Sequence, residues 1–396
     1  MTPNPAGAIH LQLTTNAERV IAVDLDSSRP TNLSQRLFRG RGSEQVQALV
    51  PLVFSVCATA QSVAASQALE QAAGLDLDPA QERARELLLL AETQREHLFR
   101  VLLGWSAWLG AEPDGAALGE LGRLRGDLVP ALYPQGDGFR PGGGRLQPDR
   151  TRLQAMLQGQ ERLLRDLLGL GPADWLGLGS LAEIQAWAQS GDRLAQRFCR
   201  QIMQQGLAQM GAVSVMPLPP LDPARLSALL QAEGAAEFVA APLWQGQVRE
   251  TGALQRQQAQ PLLQPVRQAH GTGLLCRQLA RLCELVQGLE RMGELVNNLA
   301  PARPGGQALR PSGQGLAQVE AARGRLVHWL DLRQGRIADY RILAPTEWNF
   351  HPRGVLAQGL MTLPANRKLP QLAQLLVDAI DPCVEARLSV QKTDDR

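Results

Sequence analysis

Apolar residues recur at alternate positions near the start of the chain, at Ile9, Leu11 and Leu13 and again at Ile21, Val23 and Leu25, with polar residues between them. A period of two predicts strands with one buried face, and the gap between the runs predicts an N-terminal hairpin, ended by Ser27-Ser28-Arg29-Pro30. From 43 to 73 the spacing becomes helical, with interruptions around Pro51 and near Cys57. Asp78-Pro79 supplies a capping carboxylate and a first-turn proline for a long helix running toward Trp108. Its Glu96-His97 pair reads as part of a solvated face.

Glycine and proline cluster between 110 and 147, ending in Arg140-Pro141-Gly142-Gly143-Gly144, which predicts a mobile loop. Helical spacing returns over 151–168, 181–210, 222–232 and 273–299. Cys276 and Cys283 share one face of the last of these, and with Cys199 they read as small buried core residues. After a loop over 301–315, runs at 325–332 and 336–343 flank Gln334-Gly335 and predict a second hairpin. A final helix over 369–380 delivers Asp381-Pro382-Cys383. No internal repeat is present.

Composition narrows the function classes. The 396 residues can bury a large core, and the length alone allows two or three domains. A formal net charge of +2, with 20% charged residues, gives no bulk electrostatic reason to bind nucleic acid or an anionic membrane. Residues 1–8 lack a basic region followed by an apolar run, and no uncharged stretch approaches the roughly 18 residues of a membrane span. Five cysteines without paired spacing fit a reducing compartment, so a cytoplasmic protein is expected.

Two cysteines stand in chemically suggestive company. Val53-Phe54-Ser55-Val56-Cys57-Ala58-Thr59-Ala60-Gln61, with the small-residue run to Glu70, resembles the first metal-binding motif of nickel-iron hydrogenase large subunits, a C-G-x-C pair followed by A-x-A-S-x-x-A-x-E. Asp381-Pro382-Cys383-Val384-Glu385-Ala386-Arg387-Leu388-Ser389 resembles the second, D-P-C-x-x-C-x-x-H. Between them, Glu320-Ala321-Ala322-Arg323-Gly324-Arg325-Leu326-Val327-His328-Trp329 resembles E-A-P-R-G-x-L-x-H-W, and Ile342-Leu343-Ala344-Pro345-Thr346-Glu347-Trp348-Asn349 resembles V-V-P-S/T-T-W-N. Leu37-Phe38-Arg39-Gly40 is similar to M-F-R-G, and Glu96-His97 falls where the family carries an Asp-His pair. The motifs lie in the family's order over most of the chain. The degenerate cysteines make the chain similar to one branch, the large-subunit-like accessory proteins of hydrogenase expression and formation, of the HupK/HoxV type.

The resemblance implies an α+β, mainly helical, large-subunit-like fold, with a central bundle of long helices and small β-hairpins near both ends. It also implies one interwoven domain over 1–396, with metal-site segments at 54–61 and 381–389. Cys57 matches a bridging ligand and Cys383 a terminal one. Phe54, Ala386 and the histidine replacements Gln61 and Ser389 mark what is lost. Arg323 matches the arginine that lies over the diatomic ligands of the iron, its alternative role being a salt bridge to Asp381 or Glu320. Thr346 matches the residue that bonds a cyanide, and Leu326, Ala344 and Pro345 match the apolar wall around carbon monoxide. Glu96 and Asp381 complete the expected surroundings. The family's N-terminal R-I-E-G-H has no counterpart beyond His10, its glutamate falling at Ala8.

Two thiolates suit one low-spin iron and not nickel as well. A structural zinc normally takes four nitrogen or sulfur ligands, and His97, His328 and His351 lack ligand-like spacing to either cysteine. The expected function is therefore a non-catalytic maturation factor that transiently carries an Fe(CN)2(CO) fragment without nickel. Its expected partners are hydrogenase maturation proteins and the large-subunit precursor. A metal-free chaperone for those partners is the alternative. With Ser389 in place of the histidine at which the family's tail is cut, an unprocessed C-terminus is expected.

Overall fold

In a computed structural model that describes residues 7–305 and 310–393, the N-terminal alternation forms β1 (Ala8–Thr15) and β2 (Val20–Ser27). Ile9, Leu11 and Leu13 are fully buried on one face of β1. Residues 1–6 of the segment read for a leader, part of the 301–315 loop and the end of the 390–396 tail lie outside the described residues. No single helix among the described residues is long and apolar enough to cross a membrane.

A short helix, α1 (Leu33–Phe38), leads to α2 (Ser43–Val53). Pro51 does not interrupt α2: it sits inside the last turn, and the helix breaks three residues later at Phe54. A tight turn, Ser55–Cys57, follows, and α3 (Ala58–Ala73) leaves at 100° to α2. Asp78 caps α4 (Pro79–Arg100) by accepting from the Ala80 N–H, and a π-turn, Val101–Trp105, extends that helix.

The predicted mobile loop over 110–147 is contradicted for most of its length. Asp114 accepts from the Ala116 and Ala117 N–H groups and starts α5 (Gly115–Leu132), an 18-residue helix that tolerates its glycines because it packs against α4. The turns that follow are tied down: Ser66 donates to the Phe139 carbonyl, Arg85 to that of Arg140, and Gln81 to that of Gly144. Next come α6 (Arg150–Leu168), α7 (Leu181–Gln189) and α8 (Leu194–Gln204). The single helix expected over 181–210 is thus broken near Gly191, and it ends at Gln204.

After α9 (Pro223–Gln231), α10 (Leu274–Asn298) crosses α4 in the centre of the main apolar cluster. Glu96 and His97 are buried, not solvated: α10 meets His97, and Arg323 lies against Glu96. His97 Nε2 lies 2.7 Å from Glu284 Oε2, and the Arg256 guanidinium closes on the same carboxylate.

The second hairpin is a three-stranded antiparallel sheet, β3 (Gly313–Ala321), β4 (Gly324–Arg333) and β5 (Arg336–Leu343). Its first strand begins inside the predicted 301–315 loop. Gln334 and Gly335 both take positive φ, 50° and 74°, as a two-residue turn between right-twisting strands demands. The sheet lies directly on α3, whose small residues let the backbones meet. A Cβ on Gly315 would fall 1.8 Å from the Ala68 carbonyl oxygen.

A one-turn helix, α11 (Pro345–Asn349), follows, and later α12 (Leu369–Ile380) ends at Asp381, whose φ of 65° turns the chain sharply. The chain then forms β6 (Glu385–Lys392), which pairs in parallel with β1 to give a sheet of order β2-β1-β6. This third strand is a further departure from the predicted hairpin.

Gly315→Ala should cost about 1–3 kcal/mol in a denaturant melt, because backbone has to move. Gly293→Ala, in open space within α10, should instead gain about 0.5–1 kcal/mol. Burial alone raises the Glu284 carboxyl, but Arg256 and the His97 bond overcome it and hold it at about 2. An unfolded glutamate titrates near 4.3, so this group stabilises the fold above that pH and loses its contribution, on the order of 3 kcal/mol, as pH falls toward 2. Acid melts of Glu284→Gln, which cannot titrate, should therefore fall less steeply over that window than those of the unaltered chain.

Candidate metal centre

The break between α2 and α3 places Cys57 at the N-cap position of α3. That position would normally offer free N–H groups to an anion. Here Glu92 from α4 takes them, accepting from Thr59 N at 2.7 Å and Ala60 N at 2.9 Å. One turn along α3, Gln61 Nε2 donates to Cys57 Sγ at 3.6 Å. Cys383 arrives from the opposite end of the chain, two residues past the left-handed turn at Asp381. The Thr346 hydroxyl, at the start of α11, lies 3.0 Å from Cys383 Sγ.

Both cysteines are free and half-buried, and both line one cavity of about 120 Å³. Arg323, Leu326, Ala344, Pro345, Thr346 and Glu96 line it too. Of the nine residues expected to bind or surround the metal only Asp381 does not line it, standing instead behind Arg323. Arg323 lies in the turn between β3 and β4, and its Nη2 donates to Glu96 Oε2 at 3.1 Å and reaches Asp381 Oδ1 at 3.5 Å. Of the two predicted salt-bridge partners, Asp381 is correct. Glu320 is not, because its carboxylate serves Arg256 and Arg325.

The lost ligand positions divide in two. Phe54 lines the cavity. Ala386 instead pairs with Ile9 in β6 and packs on the main apolar cluster, and the Ser389 hydroxyl donates to the Leu11 carbonyl. None of His97, His328 and His351 faces the cavity. Among the described residues no group of three or more His, Cys, Asp or Glu side chains is arranged to hold a metal.

Sequence reasoning missed Arg29, Glu92 and Glu347 and read Gln61 only as a loss. Arg29, just after β2, donates to Glu347 Oε1 at 2.7 Å, and the two line the same cavity as the cysteines. A charged residue between Thr346 and Trp348, where the hydrogenase motif has threonine, was the available sign. Nothing near Arg29 marks it, because its partner lies more than three hundred residues away.

Burial pushes the Cys57 thiol up to about 12. Cys383 and Glu92 add to that shift, and Arg323 and Gln61 oppose it. A thiol so held is a poor free nucleophile, and it deprotonates when a cation replaces its proton. For Asp381, burial is outweighed by Arg323, Arg100 and Arg281, which keep the carboxylate ionised and below its usual range. The cavity therefore combines two sulfur donors, two arginines and an apolar wall. Cys199, Cys276 and Cys283 are fully buried in the apolar cluster.

A profile of the nickel-dependent hydrogenase family matches residues 217–384. The hydrogenase expression/formation protein HoxV of Cupriavidus necator is 33% identical, over 89% of this chain and 89% of its own. HupV of Azotobacter chroococcum, named in the same way, is 31% identical over 97% of this chain and 99% of its own. In structure, the chain superposes on the nickel-iron-selenium hydrogenase of Desulfomicrobium baculatum with a TM-score of 0.68, covering 94% of this chain and 95% of that one at 16% identity. The fold is thus that of a hydrogenase large subunit, and the chain itself belongs to the hydrogenase expression/formation proteins of the HupK/HoxV type.

Proposed function

We propose that the protein is a cytoplasmic, non-catalytic hydrogenase maturation factor. It carries an Fe(CN)2(CO) fragment on Cys57 and Cys383 and passes it to the precursor of a hydrogenase large subunit. The observation that carries this reading is the convergence on one cavity of both cysteines, Arg323 and Thr346 from four distant parts of the chain. The names of the relatives support the maturation role, and the cavity's chemistry supports the cargo.

Iron(II) with two cyanides, one carbonyl and two thiolates carries a net charge of −2; Arg29 and Arg323 line its cavity as N–H donors, each also held by a carboxylate, Glu347 and Glu96. A guanidinium offers fixed N–H groups to a cyanide nitrogen. Thr346 offers a hydroxyl, and Leu326, Ala344 and Pro345 give carbon monoxide an apolar wall. With Phe54 on the cavity wall and Ala386 turned into the β2-β1-β6 sheet, no second pair of thiolates is available for nickel. Two sulfur ligands in place of four also leave less to break on release, which suits a carrier.

Protein purified without oxygen, from cells making the maturation machinery, should contain iron without nickel and show infrared carbonyl and cyanide bands. Cys57→Ser and Cys383→Ser should each remove the iron while leaving the melt unchanged, and Arg323→Leu should weaken loading by about 10–100-fold. Iron-free serine variants that still mature hydrogenase at the normal rate would sink the carrier and leave a metal-free chaperone.

The two lost ligand positions should also behave differently when restored. Phe54→Cys adds a thiol to the cavity wall and should slow transfer by strengthening retention. Ala386→Cys places its thiol in the sheet and should change neither. Equal effects from the two would contradict this geometry.

A further inference from the structure

A single file of hydrogen bonds ends at the Cys57 sulfur. The Tyr340 hydroxyl lies 2.7 Å from His328 Nδ1, His328 Nε2 lies 2.8 Å from Gln61 Oε1, and Gln61 Nε2 lies 3.6 Å from Cys57 Sγ. Tyr340 and His328 are fully buried and Gln61 is 2% exposed, so water does not compete for these groups.

The direction of the file follows from counting protons. Among the described residues the Tyr340 hydroxyl has no other partner, so its proton goes to Nδ1 of His328. A neutral imidazole then carries its own proton on Nε2 and donates it to the Gln61 carbonyl oxygen. That bond fixes the amide's orientation and leaves its NH2 group facing the sulfur. A histidine at this position could present either a donor or a lone pair; a glutamine locked in this way presents only a donor.

We infer that Gln61 is a positioning residue. Held by His328 and Tyr340, it keeps an N–H on the Cys57 sulfur, which draws electron density from that thiolate and keeps bound iron releasable. The inference deepens the carrier reading and rests on it. Hydrogen bonds to metal-bound sulfur lower its donor strength, as is known to tune iron–sulfur centres.

The test has one arm without metal and one with it. In metal-free protein labelled with nitrogen-15 histidine, His328 should be the Nε2–H tautomer; the Nδ1–H tautomer would overturn the direction of the file and the inference with it. In loaded protein, Gln61→Leu removes the N–H, so the sulfur donates more strongly to iron. The carbonyl stretch should move to lower frequency, and iron should pass to a chelator about 10-fold more slowly. A merely structural glutamine would alter the melt without moving that band. Tyr340→Phe, which leaves Gln61 in place and frees the imidazole to change tautomer, should shift the band part of the way, and it serves as the test if Gln61→Leu does not fold. Carbonyl bands unmoved in both variants, with iron retained, would overturn the inference alone. Absence of the bands from the unaltered protein would instead overturn the carrier reading, and this inference with it.

Discussion

A carboxylate removed from water needs cations close by, and Asp381 meets that need by binding together the parts of the chain that build the cavity. It lies at the end of α12 and accepts from Arg100 on α4 and Arg323 in the β3–β4 turn. Its own side chain is 3% exposed and that of Arg323 8%, so their contact forms in a weakly screening interior, while Arg100 reaches in from a partly exposed position. The same residue takes the left-handed backbone turn that sends the chain from α12 to Cys383. One side chain thus fixes where the second cysteine emerges and where the arginine over the cavity points. Glu96 closes the arrangement from the other side of Arg323.

Much of this was legible in the sequence where the cause is local. The Asp78-Pro79 cap, the Gln334-Gly335 turn and the apolar spacing of α12 each act within a few residues, and each produced the expected element. The motif resemblances placed eight of the nine singled-out residues on the cavity wall. What escaped depends on partners remote in sequence. Glu96-His97 reads as solvated until Arg323 meets the first and α10 the second. The stretch from 110 to 147 reads as loose because its glycines and prolines weigh against order, whereas packing on α4 and bonds to Ser66, Arg85 and Gln81 hold it. The Arg29–Glu347 pair leaves a trace at Glu347 alone, a carboxylate where the motif has threonine, and none at Arg29.

The surroundings of the cavity and its ligand positions have diverged differently from the hydrogenase pattern. Arg323, Leu326, Pro345 and Thr346 keep the residue types of that pattern, while Phe54 and Ala386 stand where it has cysteines. Gln61 belongs to neither group. It replaces a histidine, yet it is built into a buried file of bonds, and is therefore more than a remnant.

The parallel pairing of β6 with β1 has a consequence for how the molecule comes into being. During synthesis β1 emerges with β2, but its other neighbour, β6, is made more than three hundred residues later. Until residues 385–392 leave the ribosome, β1 keeps one edge open, and Cys383 has no fixed place. The cavity is therefore completed only once Cys383 and the strand after it have been made, and any shorter nascent chain holds half a site.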